Sequence, residues 1–189
     1  EKRKMVWRYQ YRHCKPYRKF CDALEMTPDT AGGGIDIPKI PIQIFKEARM
    51  MSDEFGRAEV EFFSSGTSGM ERSVHPVADM SVYQRSLIQG WEHFYGDDEN
   101  AILAYLPGYV QNPNSSLIWM LKELIGRDPS GLSRFLELDK PVDREVLERI
   151  EDEGKRIVLF GAAFGLADLA EKYPCSLPSG SIVIETGGM

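Results

Sequence analysis

Six consecutive residues in the first half of the chain carry only hydroxyl side chains or none, and they directly follow the apolar run Val60 to Phe63. Glycine lets backbone N–H groups turn toward one point, and the hydroxyls add uncharged donors. This pattern favours a buried strand that ends in a phosphate-binding loop. The alternative is a polar turn without a ligand, because such clusters commonly mark loops. The six residues are Ser64, Ser65, Gly66, Thr67, Ser68 and Gly69.

The spacing of these residues matches neither of two common nucleotide motifs. Gly66 and Gly69 are not followed by Gly-Lys-Ser/Thr at the Walker distance, and no G-x-G-x-x-G opens a helix. The function of the loop therefore depends on the elements that position it.

Composition is that of an ordinary soluble protein with one good core, since 189 residues are 42% hydrophobic. No apolar run approaches the roughly 18 residues that span a bilayer, and Glu1–Lys4 lacks the apolar stretch of a signal peptide. We therefore expect a cytoplasmic protein without a membrane partner. Three cysteines without a C-x-x-C pair argue against a disulfide framework and a zinc site.

Basic residues are concentrated at the N-terminus, although the whole chain carries a net charge of −6. The first 20 residues hold eight Lys or Arg and one acid, interleaved with aromatic side chains. That mixture is also found in nucleic-acid-binding segments. The aromatic residues fall where a helix would bury one side, and the remainder is acidic, so we expect a solvated helix face and no nucleic-acid partner.

Helices and strands are predicted from the spacing of apolar residues, and their ends from Gly, Pro and helix-capping residues. Predicted helices cover 5–25, 44–51, 79–96, 115–125, 143–152 and 162–173. Predicted strands cover 59–63, 73–77, 101–106, 156–161 and 181–186. We expect the basic helix and its Gly-rich linker to form region 1–34, and the remaining elements to form region 35–189.

Strands near residues 60, 102, 157 and 182 alternate with helices, which predicts an α/β fold with a largely parallel sheet covered by helices. In such sheets, ligands bind beyond the carboxyl ends of the strands. Three candidate loops follow strands, at 64–69, 107–114 and 186–189. We expect them to lie at one edge of the sheet.

The hydroxyl-rich loop resembles the phosphate loop of AMP-forming adenylating enzymes, whose pattern is Ser/Thr-Ser-Gly-Thr-Thr/Ser-Gly. Four further motifs occur in the expected order: Ile37-Pro38-Lys39-Ile40-Pro41 with Phe45-Lys46, Pro107-Gly108-Tyr109 with Asn114-Ser115-Ser116-Leu117, Leu159-Phe160-Gly161, and Ile184-Glu185-Thr186-Gly187-Gly188-Met189. Together they resemble the acyl-protein synthetase family, the LuxE-type enzymes of bacterial fatty acid reductase complexes. The resemblance runs from about residue 35 to the end, and faintly before it.

This resemblance implies that a carboxylic acid, of the fatty acid class, is activated by ATP as acyl-adenylate and then passed to a protein thiol. It further implies Mg²⁺ as cofactor and acyltransferase or reductase partners. A phenylacetate-type acyl-CoA ligase is one alternative. A non-catalytic binding or assembly module that retains the fold is the other.

Site residues follow from the same resemblance. Ser64 to Gly69 would donate hydrogen bonds to the β- and γ-phosphates, and Arg72 would add a positive charge. Many relatives carry a Lys in the tail of this loop; here the tail has none, and Glu71 opposes the charge. The adenine side would be Glu185, Thr186, Gly187 and Gly188. The acyl pocket would include Tyr105, Tyr109, Leu117 and Trp119.

Several parts of the family's machinery have no counterpart in these residues: the Tyr-Gly-x-Thr-Glu-like segment, the ribose-binding Asp, the lid Lys and the acylated Cys. We therefore expect a partial N-terminal domain that does not form acyl-adenylate alone and tends to self-associate as a homo-oligomer. Cys175 is not expected to accept the acyl group. His75 and Asp168 are expected to be structural or solvated.

Overall fold

The computed structural model describes residues 1–29, 37–64, 71–96, 100–106 and 112–187. The chain forms two compact units, Glu1–Tyr83 and Gln84–Met189. Within the described ranges, no helix is long and apolar enough to cross a membrane. The predicted boundary between residues 34 and 35 falls outside the described residues and stays a prediction.

The N-terminal unit begins with two helices, α1 (Lys2–His13) and α2 (Lys15–Ala23), so the single helix predicted over 5–25 is wrong. Between them Cys14 is extended, with φ −113° and ψ 98°. Pro16 explains the break, because proline has no N–H to donate and its ring clashes with the carbonyl four residues earlier. In the first turn of a new helix, the missing N–H costs nothing.

A small core holds the two helices against the segment that follows them. The side chains of Trp7, Cys14, Tyr17 and Cys21 are buried in it, and Ile37, Ile40 and Met50 pack against them. The Tyr17 hydroxyl donates a hydrogen bond of 2.8 Å to the carbonyl of Pro38. Burial, with Cys21 beside it, raises the pKa of Tyr17, so this phenol stays a hydrogen-bond donor.

The remainder of this unit contains the short helix α3 (Ile44–Glu47) and a hairpin of β1 (Val60–Phe63) and β2 (Val74–Val77). The two strands are antiparallel and form a sheet of their own. The prediction that the strand near residue 60 joins the parallel sheet is therefore wrong. A short loop can only return an antiparallel neighbour, since a parallel partner needs a crossover of about a dozen residues.

A four-stranded parallel sheet forms the centre of the C-terminal unit, with strand order β4-β3-β5-β6. This confirms the predicted α/β fold class. The strands are β3 (Asn100–Tyr105), β4 (Arg134–Phe135), β5 (Arg156–Ala162) and β6 (Ile182–Thr186). The helices are α4 (Met80–Tyr95), which starts in the preceding unit, α5 (Ser116–Gly126), α6 (Arg144–Asp152) and α7 (Ala163–Lys172).

Strand β3 is buried along its whole length because both faces of the sheet are covered. Leu103 packs into a core with residues of α6 and α7, whereas Ile102 packs into a second core with residues of α5. Burial of each such side chain stabilises the fold by about 1.5–3 kcal/mol. Side-chain caps begin α5 and α6: Ser115 Oγ accepts from Ile118 N at 3.4 Å, and Asp143 Oδ1 accepts from Glu145 N at 2.9 Å.

Candidate functional site

The hairpin fixes Ser64, the first residue of the hydroxyl-rich loop, against Ser73, four residues beyond the end of the loop. Ser64 N donates to the carbonyl of Ser73 at 3.1 Å, and Ser73 N donates to Ser64 Oγ at 3.0 Å. These bonds extend the strand pairing one step beyond the Phe63–Val74 pair. Residues Ser65, Gly66, Thr67, Ser68 and Gly69 lie outside the described residues. The described structure therefore shows a loop that is fixed at its base.

Ser64 is the one predicted phosphate-binding hydroxyl that the structure describes. Its Oγ accepts the hydrogen bond from Ser73 N, and its own O–H proton can still be donated. Ser64 can therefore fix the base of the loop and donate to an anion in the loop at once.

A histidine supports the returning side of the loop. Ser73 is buried, and its Oγ lies 2.9 Å from His75 Nε2, while the His75 ring stacks on Phe45 of α3 with ring centroids 4.7 Å apart. His75 was expected to be structural or solvated, and its contacts with Ser73 and Phe45 are structural ones. The i, i+2 spacing of Ser73 and His75 on one strand could have indicated their proximity. Phe45 belongs to one of the resemblance motifs, but nothing in the sequence indicated its contact with His75.

Charged residues connect the other end of the hairpin to α4. Glu59 N donates to the carbonyl of Val77 at 2.9 Å, and Glu59 Oε2 accepts from Met80 N, also at 2.9 Å. Asp79 Oδ1 accepts from Ser81 N at 2.8 Å, as expected for a helix start. A carboxylate at a helix N-terminus is favoured by the helix dipole. The hairpin is therefore fixed at both ends, by serines at the loop and by Glu59 at the helix.

Two charged residues follow the loop at its return end, and both are exposed. They are Arg72, the predicted phosphate-binding cation, and Glu71, which opposes it. Their side chains extend into solvent beside the fixed base, so their effect on a loop-bound anion stays a prediction.

The predicted adenine-side segment lies at the carboxyl edge of the parallel sheet. Glu185 pairs with Gly161 and Thr186 with Ala162 in the β5–β6 register. Glu185 and Gly187 are exposed and Thr186 is half-buried, whereas Gly188 lies outside the described residues. Tyr105, the last residue of β3, pairs with Gly161 at the same edge. This is the edge at which parallel sheets bind ligands.

Gly161 allows the strands and helix at this edge to approach closely. A Cβ atom on Gly161 would lie 2.7 Å from the Leu166 side chain and 2.7 Å from the carbonyl oxygen of Tyr105. Only glycine fits there without a shift of backbone. The Leu159-Phe160-Gly161 motif thus has a packing explanation.

Two of the four predicted acyl-pocket residues, Tyr105 and Leu117, lie in different cores. Tyr105 is buried in the core beside α6 and α7, and its hydroxyl accepts from Asp139 N at 3.4 Å. Leu117 packs against the other core, on the opposite face of the sheet. Trp119 is half-buried on α5, and Tyr109 lies outside the described residues. The acyl pocket stays a prediction, and the structure does not bring Tyr105 and Leu117 together.

Comparison with known proteins concerns mainly the N-terminal unit. The model of the family described as "Acyl-protein synthetase, LuxE" matches residues 4–88. The resemblance to the acyl-protein synthetases is confirmed. The match starts at residue 4, so it includes all but the first two residues of α1 and all of α2, where the sequence motifs indicated only a faint resemblance. Placement in the wider adenylating superfamily stays a prediction.

A curated relative supports the same match. The chain is 35% identical over 69 residues to the "Long-chain-fatty-acid--luciferin-component ligase" of Photorhabdus luminescens. That region is 36% of this chain and 59% of the relative, so the chain spans less than two thirds of the relative's length. No solved structure matches the chain significantly.

Only some of the predicted site residues lie within the region that matches the acyl-protein synthetase family. The loop Ser64–Gly69 and its supports Ser73 and His75 lie inside residues 4–88. The adenine-side and acyl-pocket residues lie beyond them, so their roles rest on short motifs alone. Among the described residues, no group of three His, Cys, Asp or Glu could hold a metal ion.

Proposed function

We propose that the natural protein activates a carboxylic acid of the fatty acid class with ATP and transfers the acyl group to a protein thiol. A carboxylate oxygen attacks the α-phosphorus of ATP, pyrophosphate leaves, and acyl-adenylate forms. A thiolate then attacks the acyl carbonyl, and AMP leaves with the electrons of the broken C–O bond. The substrate class follows the printed name of the relative, and the reaction follows the family resemblance.

The observation that carries this proposal is the fixed base of the loop inside the family-matched region. Both reactants of the first step are anions, so the leaving pyrophosphate needs donors that are already in place as charge moves onto it. The Ser64–Ser73 hydrogen bonds and the contact of Ser73 with His75 hold Ser64 against Ser73 before any ligand binds. Less ordering is then required when the phosphates arrive.

We assign the loop Ser64–Gly69 to the β- and γ-phosphates and Arg72 to added positive charge. The adenine side is assigned to 185–188. Mg²⁺ accompanies ATP in the proposal, and the described residues hold no cluster of three ligands for it. An acyltransferase or reductase would supply the acid or use the acyl product.

Acid-dependent exchange of radioactive pyrophosphate into ATP tests the first step. The natural full-length protein should exchange with long-chain acids, and the G66V/T67A variant should lose at least about tenfold of the rate, because one catalytic donor is commonly worth that much or more. Exchange by the variant at the normal rate would remove the loop from the mechanism. Absence of pyrophosphate exchange with every fatty and aromatic acid tested would contradict the ligase proposal.

The acceptor is tested separately. Radioactive acyl label should remain with the protein after denaturation and be released by hydroxylamine, as a thioester is. Acyl transfer only to added coenzyme A would instead favour an acyl-CoA ligase.

A further inference from the structure

An open groove lies between α2 and α3 on the N-terminal unit, and its described lining residues are outside the hairpin. Its volume is about 550 Å³. Pro16 and Phe20 of α2 form one wall, and Ile44 and Ala48, the first residue and the C-cap of α3, form the other. The two residues of each wall are four positions apart, so each wall extends for about one helical turn. We call this feature the α2–α3 groove.

The rim of the α2–α3 groove is positively charged. Three exposed cations of α2 line it, and no acidic side chain is among its described lining residues. Lys15 Nζ lies 3.5 Å from Asp53 Oδ2, whereas the described residues supply no ion-pair partner for Lys19. Arg18 Nε donates to the carbonyl of Tyr11 at 2.8 Å, which holds the guanidinium in place. The groove therefore combines apolar walls with an excess of positive charge.

Apolar walls beside a cationic rim fit an amphipathic helix that carries carboxylates next to its apolar face. Such a helix binds in a groove through apolar residues that recur at helical spacing. Within the described chain α6 has a sequence of this kind, but its apolar residues Val146, Leu147 and Ile150 are buried in the core of the C-terminal unit. A second copy of the chain therefore offers no such face on α6, and we expect the helix to belong to another protein.

We propose that the α2–α3 groove binds an acidic amphipathic helix of a partner protein. The apolar side chains of that helix pack against Phe20 and Ile44, and its carboxylates pair with Arg18 and Lys19 at the rim. This binding requires neither ATP nor the hairpin loop, so it goes beyond the proposed function and can fail independently of it.

The probe is a synthetic peptide of about 14 residues, which forms about four helical turns, with Leu and Phe on one face and Glu on the other. In a ¹H–¹⁵N spectrum of the chain, the backbone peaks of Phe20, Ile44 and Ala48 should shift and saturate as the peptide is added. The peaks of Val74 and Val77 in the hairpin should not move. A peptide of the same composition in scrambled order has no single apolar face, and a peptide with Lys in place of Glu has the wrong charge, so neither should bind. Absence of a saturable shift at the groove, or equal binding of either control peptide, would overturn the proposal.

Reversal of one rim charge tests the cationic side of the groove by calorimetric titration of the acidic peptide. Lys19→Glu should weaken binding about tenfold, because a carboxylate there repels those of the helix. The side chain is exposed, so the fold should be retained. Lys4→Glu is the matched control, since Lys4 is an exposed cation of α1 that is not among the described lining residues. Wild-type affinity in Lys19→Glu, or an equal loss in Lys4→Glu, would contradict the proposal.

A substitution in the apolar wall and a change of salt complete the test. Ala48→Gln places a longer polar side chain in the groove and should weaken peptide binding several-fold. Raising the salt from about 0.1 M to about 1 M shortens the screening length from about 10 Å to about 3 Å, so it should also weaken binding. Affinity that neither change lowers would contradict the proposal. Sedimentation of the chain without peptide tests the other occupant: a dimer that Lys19→Glu dissociates would identify a second copy of this chain and overturn the proposal.

Discussion

The two edges of the parallel sheet differ in how their polar groups are used. At the amino edge, polar side chains cross-link the strand starts. Asp128 accepts hydrogen bonds from Ser130 and Ser133, and its carboxylate lies 3.2 Å from Lys155 Nζ. Arg156, the first residue of β5, donates to Asn100 Oδ1 of β3 at 2.9 Å. The sequence analysis missed this network.

Little room is left for a ligand at the amino edge. The cleft beside Asn100, Asp128 and Lys155 has a volume of about 50 Å³, which suits a few water molecules and not a drug-sized ligand. The side chains of Asp128 and Lys155 are only 4% and 11% exposed. We interpret this edge as structural.

The carboxyl edge has the opposite character. Strand β6 ends there with exposed Glu185 and Gly187, and the closest packing, at Gly161, is between backbone and an apolar side chain. Polar groups at the amino edge therefore hold the strands in register, whereas those at the carboxyl edge face solvent, where a ligand can contact them.

Removal of the Asp128 carboxylate should have the largest effect. Asp128→Ala leaves the nearly buried Lys155 without its carboxylate partner and leaves Ser133 N without its hydrogen-bond acceptor. We expect a loss of about 3–5 kcal/mol in the free energy of unfolding, measured in urea. The control is Asp168→Ala, which removes an exposed carboxylate and should change stability by about 0.5 kcal/mol or less. Equal effects of the two substitutions would contradict a structural amino edge.

The same carboxylate makes stability depend on pH. Burial alone would raise the pKa of Asp128, but hydrogen bonds from Ser130, Ser133 and Lys155 outweigh burial and lower it. The stabilisation is therefore complete above the unfolded pKa of about 3.9 and is lost as pH falls below it, by at most about 1.4 kcal/mol per pH unit. The stability gap between wild type and Asp128→Asn should narrow below about pH 4. A gap that stays constant to pH 2.5 would show that Asp128 does not titrate this way.

A Cβ atom at Gly161 tests the packing of the carboxyl edge. Gly161→Ala places its methyl group against the Tyr105 carbonyl oxygen, which is backbone and cannot move aside cheaply. We expect a loss of about 1–3 kcal/mol, seen as a lower melting temperature. Gly126→Ala is the control, because a Cβ there meets nothing within 4 Å and lies in helix α5, where Ala is preferred.

Burial patterns explain which elements were predictable from sequence. The apolar run of β3 and the N-cap and amphipathic spacing of α6 are local sequence patterns, so both elements could be predicted from their own residues. Strand β1 is also mostly apolar, but its partner is set by the short connection that brings the chain back as β2, and apolar periodicity does not predict such a connection. The two-residue strand β4 is too short to give any signal.

Interactions between distant residues account for what was missed. Asp128 and Lys155 are 27 residues apart, and Phe45 meets His75 from a different element. No spacing rule joins such pairs, because the folded topology alone brings them together. The loop Ser64–Gly69 was found because its unusual composition is contiguous in the sequence.

Substitution of Glu185, near the exposed end of β6, should have the smallest effect on stability. It therefore gives the clearest contrast with Asp128 at the amino edge. Glu185→Ala should change the free energy of unfolding by no more than about 0.5 kcal/mol, because the side chain projects into solvent. In the natural full-length protein the same variant should raise the KM for ATP in the exchange assay, as the adenine-side assignment requires. A large loss of stability would show that the carboxyl edge is structural, like the amino edge. An unchanged KM for ATP would show that Glu185 is not part of the nucleotide site. Lys122→Ala, an exposed charge on α5 that has no assigned role, is the matched control and should leave both quantities unchanged.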